Sequence, residues 1–468
     1  MNKLINFSFA VFLFVIPLVF FPKSYELFEF NKAVALYSFV GLVTTFWVAE
    51  MILAKKIIFK RTLLDIPILL FLSSQIISTL FSIDFHTSLF GYYSRVNGGL
   101  LSTISYCLLY WCFVSNADNK SAKKLLFVSL ISGILISFYA IFEHFGHSIS
   151  CIFISGKFDN NCWVQDVQTR VFATLGQPNW LGTWLVGMIP LTWAYVINSK
   201  FETLNSKKNA QTFFWFSVSV ILFTTLLFTK SRSAFLGFGV SAFIFWGLAF
   251  LKDFKKVIII FLTLTFIFGI LNFLIDTPWT PSLRQGSGGQ ASSTPSGPAL
   301  ETGGTESGAI RQIVWKGAVE VWKHNPIIGS GVETFAYSYY QYRPKEHNLV
   351  SEWDFLYNKA HNEYLNYAAN SGTLGIATYL FLILVSIFII WKSPGILSVS
   401  LLAGYFGILV SNFFGFSVVN TNLQLFIYPA IAVALAERQS VRVEEREFKK
   451  LSTYQKTAII CLYFLALL

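Results

Sequence analysis

Arginine and lysine side chains in one short polar segment could bind a phosphate group. Arg232 and Lys230 lie in Thr229-Lys-Ser-Arg-Ser-Ala-Phe235, where only a few polar residues separate two apolar runs. The planar guanidinium of an arginine suits phosphate because it can donate two parallel hydrogen bonds to it. The same side chains could instead anchor the chain at a membrane surface, with their apolar stems covered and their charges in water.

A histidine that could exchange a proton opens the segment His361-Asn-Glu-Tyr-Leu365, directly before a long apolar run. An unperturbed imidazole has a pKa of about 6.5 and can accept a proton from a hydroxyl at neutral pH. The spacing of Glu143-His-Phe-Gly-His147 does not match the metalloprotease helix motif, and no other cluster indicates a metal site. We therefore expect no metal and no cofactor. The other histidines are His86, His144, His147, His324 and His347. Most of them are expected to be solvated or interfacial.

Two further segments could approach an anion. Arg311 opens a helix-like stretch, and the turn Gly329-Ser-Gly331 that follows could bring backbone close to a ligand. This turn is not a P-loop, because no Gly-Lys-Ser/Thr follows it. Farther upstream, the segment Arg170 to Gly182 contains Gln177-Pro-Asn179 at the start of an apolar run. Proline favours the first turn of a helix, whose N–H groups attract anions, although an ordinary capped helix fits the same pattern.

The elements that must position these motifs are membrane-spanning helices. Hydrophobic residues make up 54% of the 468 residues and charged residues 13%, whereas soluble domains usually carry about 25% charged residues. This composition excludes a soluble globular fold. Apolar runs of roughly 17–25 residues indicate spanning helices. We predict them at 7–21, 33–54, 62–81, 99–115, 122–142, 176–197, 211–229, 234–251, 257–275, 363–390, 395–412 and 420–436.

The distribution of positive charge predicts the orientation of the chain. With the N-terminus inside, the inside segments hold most of the 35 Lys and Arg residues, as the positive-inside rule requires. The net charge of +11 therefore reflects orientation in a lipid bilayer, and no nucleic-acid partner is expected. The first apolar run is interpreted as a retained anchor because no small-residue cleavage site follows it. All of the polar motifs then face the extracytoplasmic side.

The expected fold class is all-α: a polytopic transmembrane bundle of about 12 spans, with a long extracytoplasmic loop that bears short helices. Residues 286–308 of this loop are rich in Gly, Ser, Thr and Pro, which predicts disorder. The predicted regions are 1–275 for helices 1–9, 276–362 for the loop, 363–436 for helices 10–12, 437–455 for a cytoplasmic segment and 456–468 for the start of an incomplete apolar span.

Two cysteines share the predicted outer loop 143–175. Cys151 and Cys162 could form a disulfide in an oxidising compartment. Spacing alone does not distinguish a disulfide from two thiols, because pairing depends on the distance between the backbones.

Taken in order, the motifs resemble those of the O-antigen ligase and polymerase family of bacterial membrane glycosyltransferases. The resemblance covers roughly residues 170–380 and includes a long outer loop before the tenth span. The segments that carry it are Gly176-Gln-Pro-Asn-Trp-Leu-Gly182, Lys230-Ser-Arg-Ser-Ala234, Glu306-Ser307 with Arg311 and Trp315, Pro326-Ile-Ile-Gly-Ser-Gly331, and His361-Asn-Glu-Tyr-Leu365.

This resemblance implies transfer of a sugar chain from a polyprenyl-diphosphate carrier to a glycan, lipid or protein acceptor outside the bacterial cytoplasmic (inner) membrane, without a metal. By resemblance, Arg232 and Arg311 would hold the diphosphate and His361 would help to activate the acceptor. A protein O-oligosaccharyltransferase of the same superfamily is an alternative. A transporter is disfavoured because the interiors of the spans carry few charges. The remaining expected substrate-binding residues are Arg170, Gln177, Asn179, Lys230 and Asn362.

Overall fold

Apolar helices make up nearly all of the regular structure. The computed structural model describes residues 2–199, 206–275, 307–436 and 443–447. Within these residues one pair of short strands interrupts an otherwise helical fold, so the predicted helical class is confirmed. The helices are α1 (Asn2–Val15), α2 (Glu29–Ala54), α3 (Asp65–Leu80), α4 (Phe85–Phe90), α5 (Leu100–Asn116), α6 (Asn119–His144), α7 (Ile149–Ser155), α8 (Pro178–Asn198), α9 (Ser206–Thr229), α10 (Arg232–Lys252), α11 (Phe254–Leu274), α12 (Ser307–His324), α13 (Phe335–Tyr342), α14 (Glu363–Lys392), α15 (Ile396–Asn412) and α16 (Val419–Leu435).

Seven of the described helices are long and apolar enough to cross a bilayer, namely α2, α6, α8, α9, α10, α11 and α14. The chain is therefore a multi-pass membrane protein. The helices α1, α3, α5, α15 and α16 are apolar but shorter, and each lies where the sequence predicts a span. The expected total of about 12 spans stays a prediction, because the shorter helices fall below the usual spanning length.

Two predicted segments fall largely outside the described residues. The apolar run 456–468 lies outside them entirely. The stretch 286–308 does so except for Ser307 and Gly308, which form the first two residues of α12. The predicted disorder of this stretch stays a prediction.

Helix α8 lies at the centre of the bundle, and most of its residues are buried. It packs against α9, α10 and α15, and small residues allow the close crossings. A Cβ added at Gly404 of α15 would lie 2.5 Å from the carbonyl oxygen of Gly187 in α8. A Cβ added at Gly182 would lie 2.6 Å from the Cβ of Ala234 in α10. These contacts fix the start of α8 against the start of α10.

The strand pair joins two distant parts of the chain. Strand β1 (Lys56–Lys60) pairs antiparallel with β2 (Val443–Glu447), with Lys56 opposite Glu447 and Lys60 opposite Val443. The sequence predicted both segments as inside regions, which agrees with their pairing. It did not predict the strands, because each has only five residues and four of the five in β2 are charged.

Helix α14 is broken near its start, and the glycine turn fills the break. Gly372 has φ 64° and ψ −165° within the helix. The Ser330 N–H donates to the Ala369 carbonyl at 3.1 Å, and the Gly331 N–H donates to the Asn370 carbonyl at 2.9 Å. The turn Gly329-Ser-Gly331, which the sequence offered as a ligand contact, therefore brings backbone against α14 instead.

A disulfide closes part of the loop between α6 and α8. Cys151 in α7 is bonded to Cys162, with the two Cα atoms 5.5 Å apart. The loop is also tied to α6, because the buried Glu143 carboxylate accepts hydrogen bonds from the Ala173 N–H at 2.7 Å and the Phe172 N–H at 3.2 Å. The backbone that follows Arg170 is thereby fixed.

Substitution of Gly372 by alanine is expected to destabilise the protein strongly. Its φ/ψ region is essentially restricted to glycine, at a strain of about 1–3 kcal/mol for other residues, and the new Cβ would lie 2.4 Å from the Ile327 carbonyl. Gly239→Ala is the matched control, since no atom lies within 4 Å of its added Cβ. Thermal unfolding in detergent should show a lower midpoint for G372A alone. Equal midpoints for the two variants would contradict this account of the break.

Candidate active site

The segments Arg170 to Gly182 and Thr229 to Phe235 meet where α8 and α10 begin. Arg170 donates from Nε to the Thr229 carbonyl and from Nη2 to Asn179 Oδ1, both at 3.3 Å. The Ser231 hydroxyl donates to the same Asn179 oxygen at 2.8 Å. Ser231 is also the N-cap of α10, so one carboxamide links the loop of Arg170, the start of α8 and the start of α10.

Local backbone geometry explains how these segments fold. Pro178 occupies the first turn of α8 with Gln177 as its N-cap residue, as the sequence indicated, although the Gln177 side chain forms no capping hydrogen bond. Lys230 has φ 47°, which lets the chain reverse between α9 and α10. The pKa of Asp166 is lowered by hydrogen bonds from Thr169 and also by the charge of Lys230. Lys230 therefore faces the loop that carries Arg170.

Arg311 joins this group from α12. Burial lowers the pKa of Arg170, and the charge of Arg311 lowers it further. Burial likewise lowers the pKa of Arg311, Tyr357 and Glu352 oppose the shift, and Arg232 adds to it. The charge of Arg311 therefore acts on Arg170, and the charge of Arg232 acts on Arg311, although the three come from separate segments. Such mutual repulsion makes the group suited to a multiply charged anion.

His361 lies beside the arginines in a left-handed backbone conformation, with φ 51°. Its ring packs edge-on against Tyr357 and Phe416, at centroid distances of 5.6 Å and 5.4 Å. Burial lowers its pKa to about 4, with further contributions from Arg311 and Arg95. The imidazole is therefore neutral at pH 7 and can accept a proton.

The residues that follow His361 hold it in place. Asn362 is 2% exposed, and its Oδ1 accepts hydrogen bonds from the Tyr364 and Leu365 N–H groups at 3.0 Å and 3.1 Å. It is the N-cap of α14. The carboxamide oxygen of Asn362 thus caps the helix, and the expected role of this residue in substrate binding stays a prediction. The buried Glu363 accepts from the Ser417 N–H at 2.7 Å, which brings the Phe416 segment beside His361.

Residues 217–380 match the family model described as O-antigen ligase. This part of the chain is similar to the O-antigen ligase superfamily. The resemblance predicted from the motifs is thereby confirmed. A comparison with curated proteins finds no significant match.

The O-antigen ligase segment, residues 217–380, contains only part of the site. Arg232, Arg311 and His361 lie within it, whereas Arg170 and Asn179 lie upstream. The upstream half of the chain therefore contributes side chains to the same site, through the contacts of Arg170 and Asn179 with the loop before α10.

Arg95 is a site residue that the sequence motifs did not single out. It lies in the loop between α4 and α5, with its guanidinium carbon 5.0 Å from the Trp180 ring centroid and 5.5 Å from that of Phe416. Arg95 belongs to no recognisable motif. A signal was nonetheless present, because the positive-inside rule disfavours an arginine in a predicted outer loop.

Other histidines are engaged elsewhere. His347 is buried and its Nδ1 lies 2.7 Å from the Tyr339 hydroxyl. His144 stacks on Phe228 at 3.8 Å, and His324 stacks on Tyr342 at 4.2 Å. These contacts assign the three rings to packing rather than to the arginine group.

Replacement of Arg311 by glutamine is expected to raise the pKa of His361, because a cation that disfavours imidazolium is lost. The six histidines of the chain make ring-labelled NMR titration practical. Wild-type His361 should stay neutral down to about pH 4, and the R311Q ring should protonate at higher pH. Arg343→Gln is the control, since Arg343 is bound by the Trp353 carbonyl and Asn348 Oδ1. A wild-type titration near pH 6.5, or no change in R311Q, would contradict the described environment.

Proposed function

We propose that this protein is a membrane glycosyltransferase that moves a glycan from a polyprenyl-diphosphate carrier to an acceptor hydroxyl on the extracytoplasmic side of the bacterial cytoplasmic membrane. The observation that carries the proposal is the meeting of a group of arginines with a neutral histidine. The O-antigen ligase segment supports the same class of reaction.

In this proposal the arginines bind the donor diphosphate. The diphosphate is the leaving group, so its negative charge grows as the bond to the anomeric carbon breaks. Fixed guanidinium groups stabilise that charge without reorganising, each contributing roughly 3–4 kcal/mol in the transition state. Arg232 and Arg311 are the proposed diphosphate ligands. Arg170 and Lys230 complete the positive surface, while Gln177 and Asn179 line it at the positive end of α8.

His361 is the proposed base. Its neutral imidazole takes the proton of the acceptor hydroxyl as the oxygen attacks the anomeric carbon, and the diphosphate leaves with the bonding electrons. A bound diphosphate would also oppose the effect of Arg311 and raise the pKa of His361. The donor would therefore make the imidazole a stronger base, which favours donor binding before the acceptor reacts.

The proposed topology has about 12 spans, the N-terminus in the cytoplasm and the site outside. The loops before α8 and α10 contact one another through Asn179, and the charge of Arg311 acts on both Arg170 and His361, so these segments lie at one end of the bundle. The strand pair carries Lys56 and Lys60, residues typical of a cytoplasmic surface. One end of the bundle thus carries the candidate site and the other carries the strand pair, which supports this orientation.

Transfer of a labelled polyprenyl-diphosphate glycan in liposomes tests the chemistry. His361→Ala should lower the rate roughly 10²- to 10⁴-fold because the general base is lost. Arg311→Ala should lower it roughly 10²- to 10³-fold because charge stabilisation is lost. His324→Ala, which removes a stacked ring outside the site, should retain activity. Undiminished transfer by H361A or R311A would reject their roles, and mass spectrometry of the product would identify the acceptor.

The topology is tested by labelling single cysteines in intact cells. In a variant without the thiols of Cys107, Cys112 and Cys461, a membrane-impermeant maleimide should label Val164→Cys, which is fully exposed in the first outer loop. Lys252→Cys, at the far end of α10, should react only after permeabilisation. The opposite pattern would place the site in the cytoplasm and contradict the proposal.

A further inference from the structure

The loop that carries Arg95 is held in a strained conformation. Val96 has φ 50°, a region that β-branched residues rarely adopt. Its carbonyl accepts a hydrogen bond from the Tyr37 hydroxyl at 2.6 Å, and the Gly98 N–H donates to Ser102 Oγ at 2.9 Å. Glu333 packs directly over Gly98, where an added Cβ would lie 2.5 Å from its Oε1. Contacts with α2, α5 and Glu333 therefore determine where Arg95 points.

The guanidinium of Arg95 has an unused buried donor. Its Nη1 is buried and has no hydrogen-bond partner in the described part of the chain. The rings of Trp180 and Phe416 hold the group by cation–π contact, which supplies no acceptor for Nη1 in the plane of the guanidinium. Burial lowers the pKa of Arg95, and Glu29, Glu26 and Glu333 act against that shift through their charges. An unpaired buried donor is costly and calls for an acceptor.

Arg95 shares its surroundings with the proposed base. The Phe416 ring that contacts Arg95 also contacts His361, at a centroid distance of 5.4 Å. The Trp180 ring follows Asn179, whose oxygen binds Arg170 and Ser231. The unused donor therefore lies between the His361 side of the site and the start of α8.

We infer that Arg95 is a further ligand of the donor, with Nη1 donating a hydrogen bond to a diphosphate oxygen. This inference rests on the proposed function, since it uses the same substrate. A guanidinium is suited to the task because its charge is fixed and its donors are planar. Arg95 lies outside the O-antigen ligase segment, so the binding site is completed by the N-terminal half of the chain.

Binding of farnesyl diphosphate to the full chain in nanodiscs tests the inference by calorimetry. Arg95→Met should raise the Kd roughly tenfold or more, because a charge-assisted hydrogen bond is lost. Arg95→Lys keeps the positive charge but loses the planar guanidinium donors, so it should raise the Kd less. Arg343→Met is the matched control. Arg343 also stacks on an aromatic ring, that of Tyr340 at 5.6 Å, but the protein itself provides its hydrogen-bond acceptors. Its Kd should equal that of the wild type.

The outcomes separate the two proposals. Farnesol has the same chain without phosphate and should bind equally to every variant. If the wild type binds the diphosphate no better than farnesol, the proposed function fails and the inference with it. If the wild type binds it and R95M binds it equally well, Arg95 is structural and the inference alone is overturned. If R95M does not fold, R95K decides, and an unchanged Kd in R95K overturns the inference.

Discussion

Repulsion between guanidinium groups is the constraint on which the rest of this site depends. Arg170, Arg232 and Arg311 come from three different segments, and their charges oppose one another. Contacts within the protein hold two of them against this repulsion. The Thr229 carbonyl and the Asn179 carboxamide bind Arg170, whereas apolar packing of α12 and the charge of Glu352 stabilise Arg311. Binding of a multiply charged anion would neutralise this repulsion.

The same constraint explains the close packing below the site. The loop before α10 and the start of α8 must meet within hydrogen-bond distance so that Asn179 can bind both Arg170 and Ser231. Gly182, one turn farther along α8, allows this approach, because a larger side chain would clash with Ala234. Helix packing inside the membrane therefore sets the spacing of charges at its surface.

Much of the fold and part of the site could be predicted from the sequence. Long apolar runs fix helices because unpaired backbone groups are too costly in lipid, so α6, α8 and α14 begin close to their predicted positions. Arg311 and His361 stood out because their motifs are local. Arg95 did not, because its position depends on contacts with Trp180 and Phe416, which are far away in the sequence.

Some residue types in this chain suit either a ligand contact or a contact within the protein. Asn362 beside a candidate base suggested substrate binding, yet the same carboxamide is a good helix cap, and the start of α14 uses it in that way. The Gly329-Ser-Gly331 turn suggested a ligand contact, whereas its glycines allow close approach to another backbone. In both cases local composition permits either use, and only the tertiary neighbour decides between them.

The break in α14 separates the helix into two parts with different contacts. Residues 363–371 share backbone hydrogen bonds with the glycine turn, while the long apolar remainder lies beyond Gly372. A change in bilayer thickness alters the tilt of a spanning helix. A tilt of the apolar part would therefore be taken up at the non-helical residue rather than passed to the residues that follow His361.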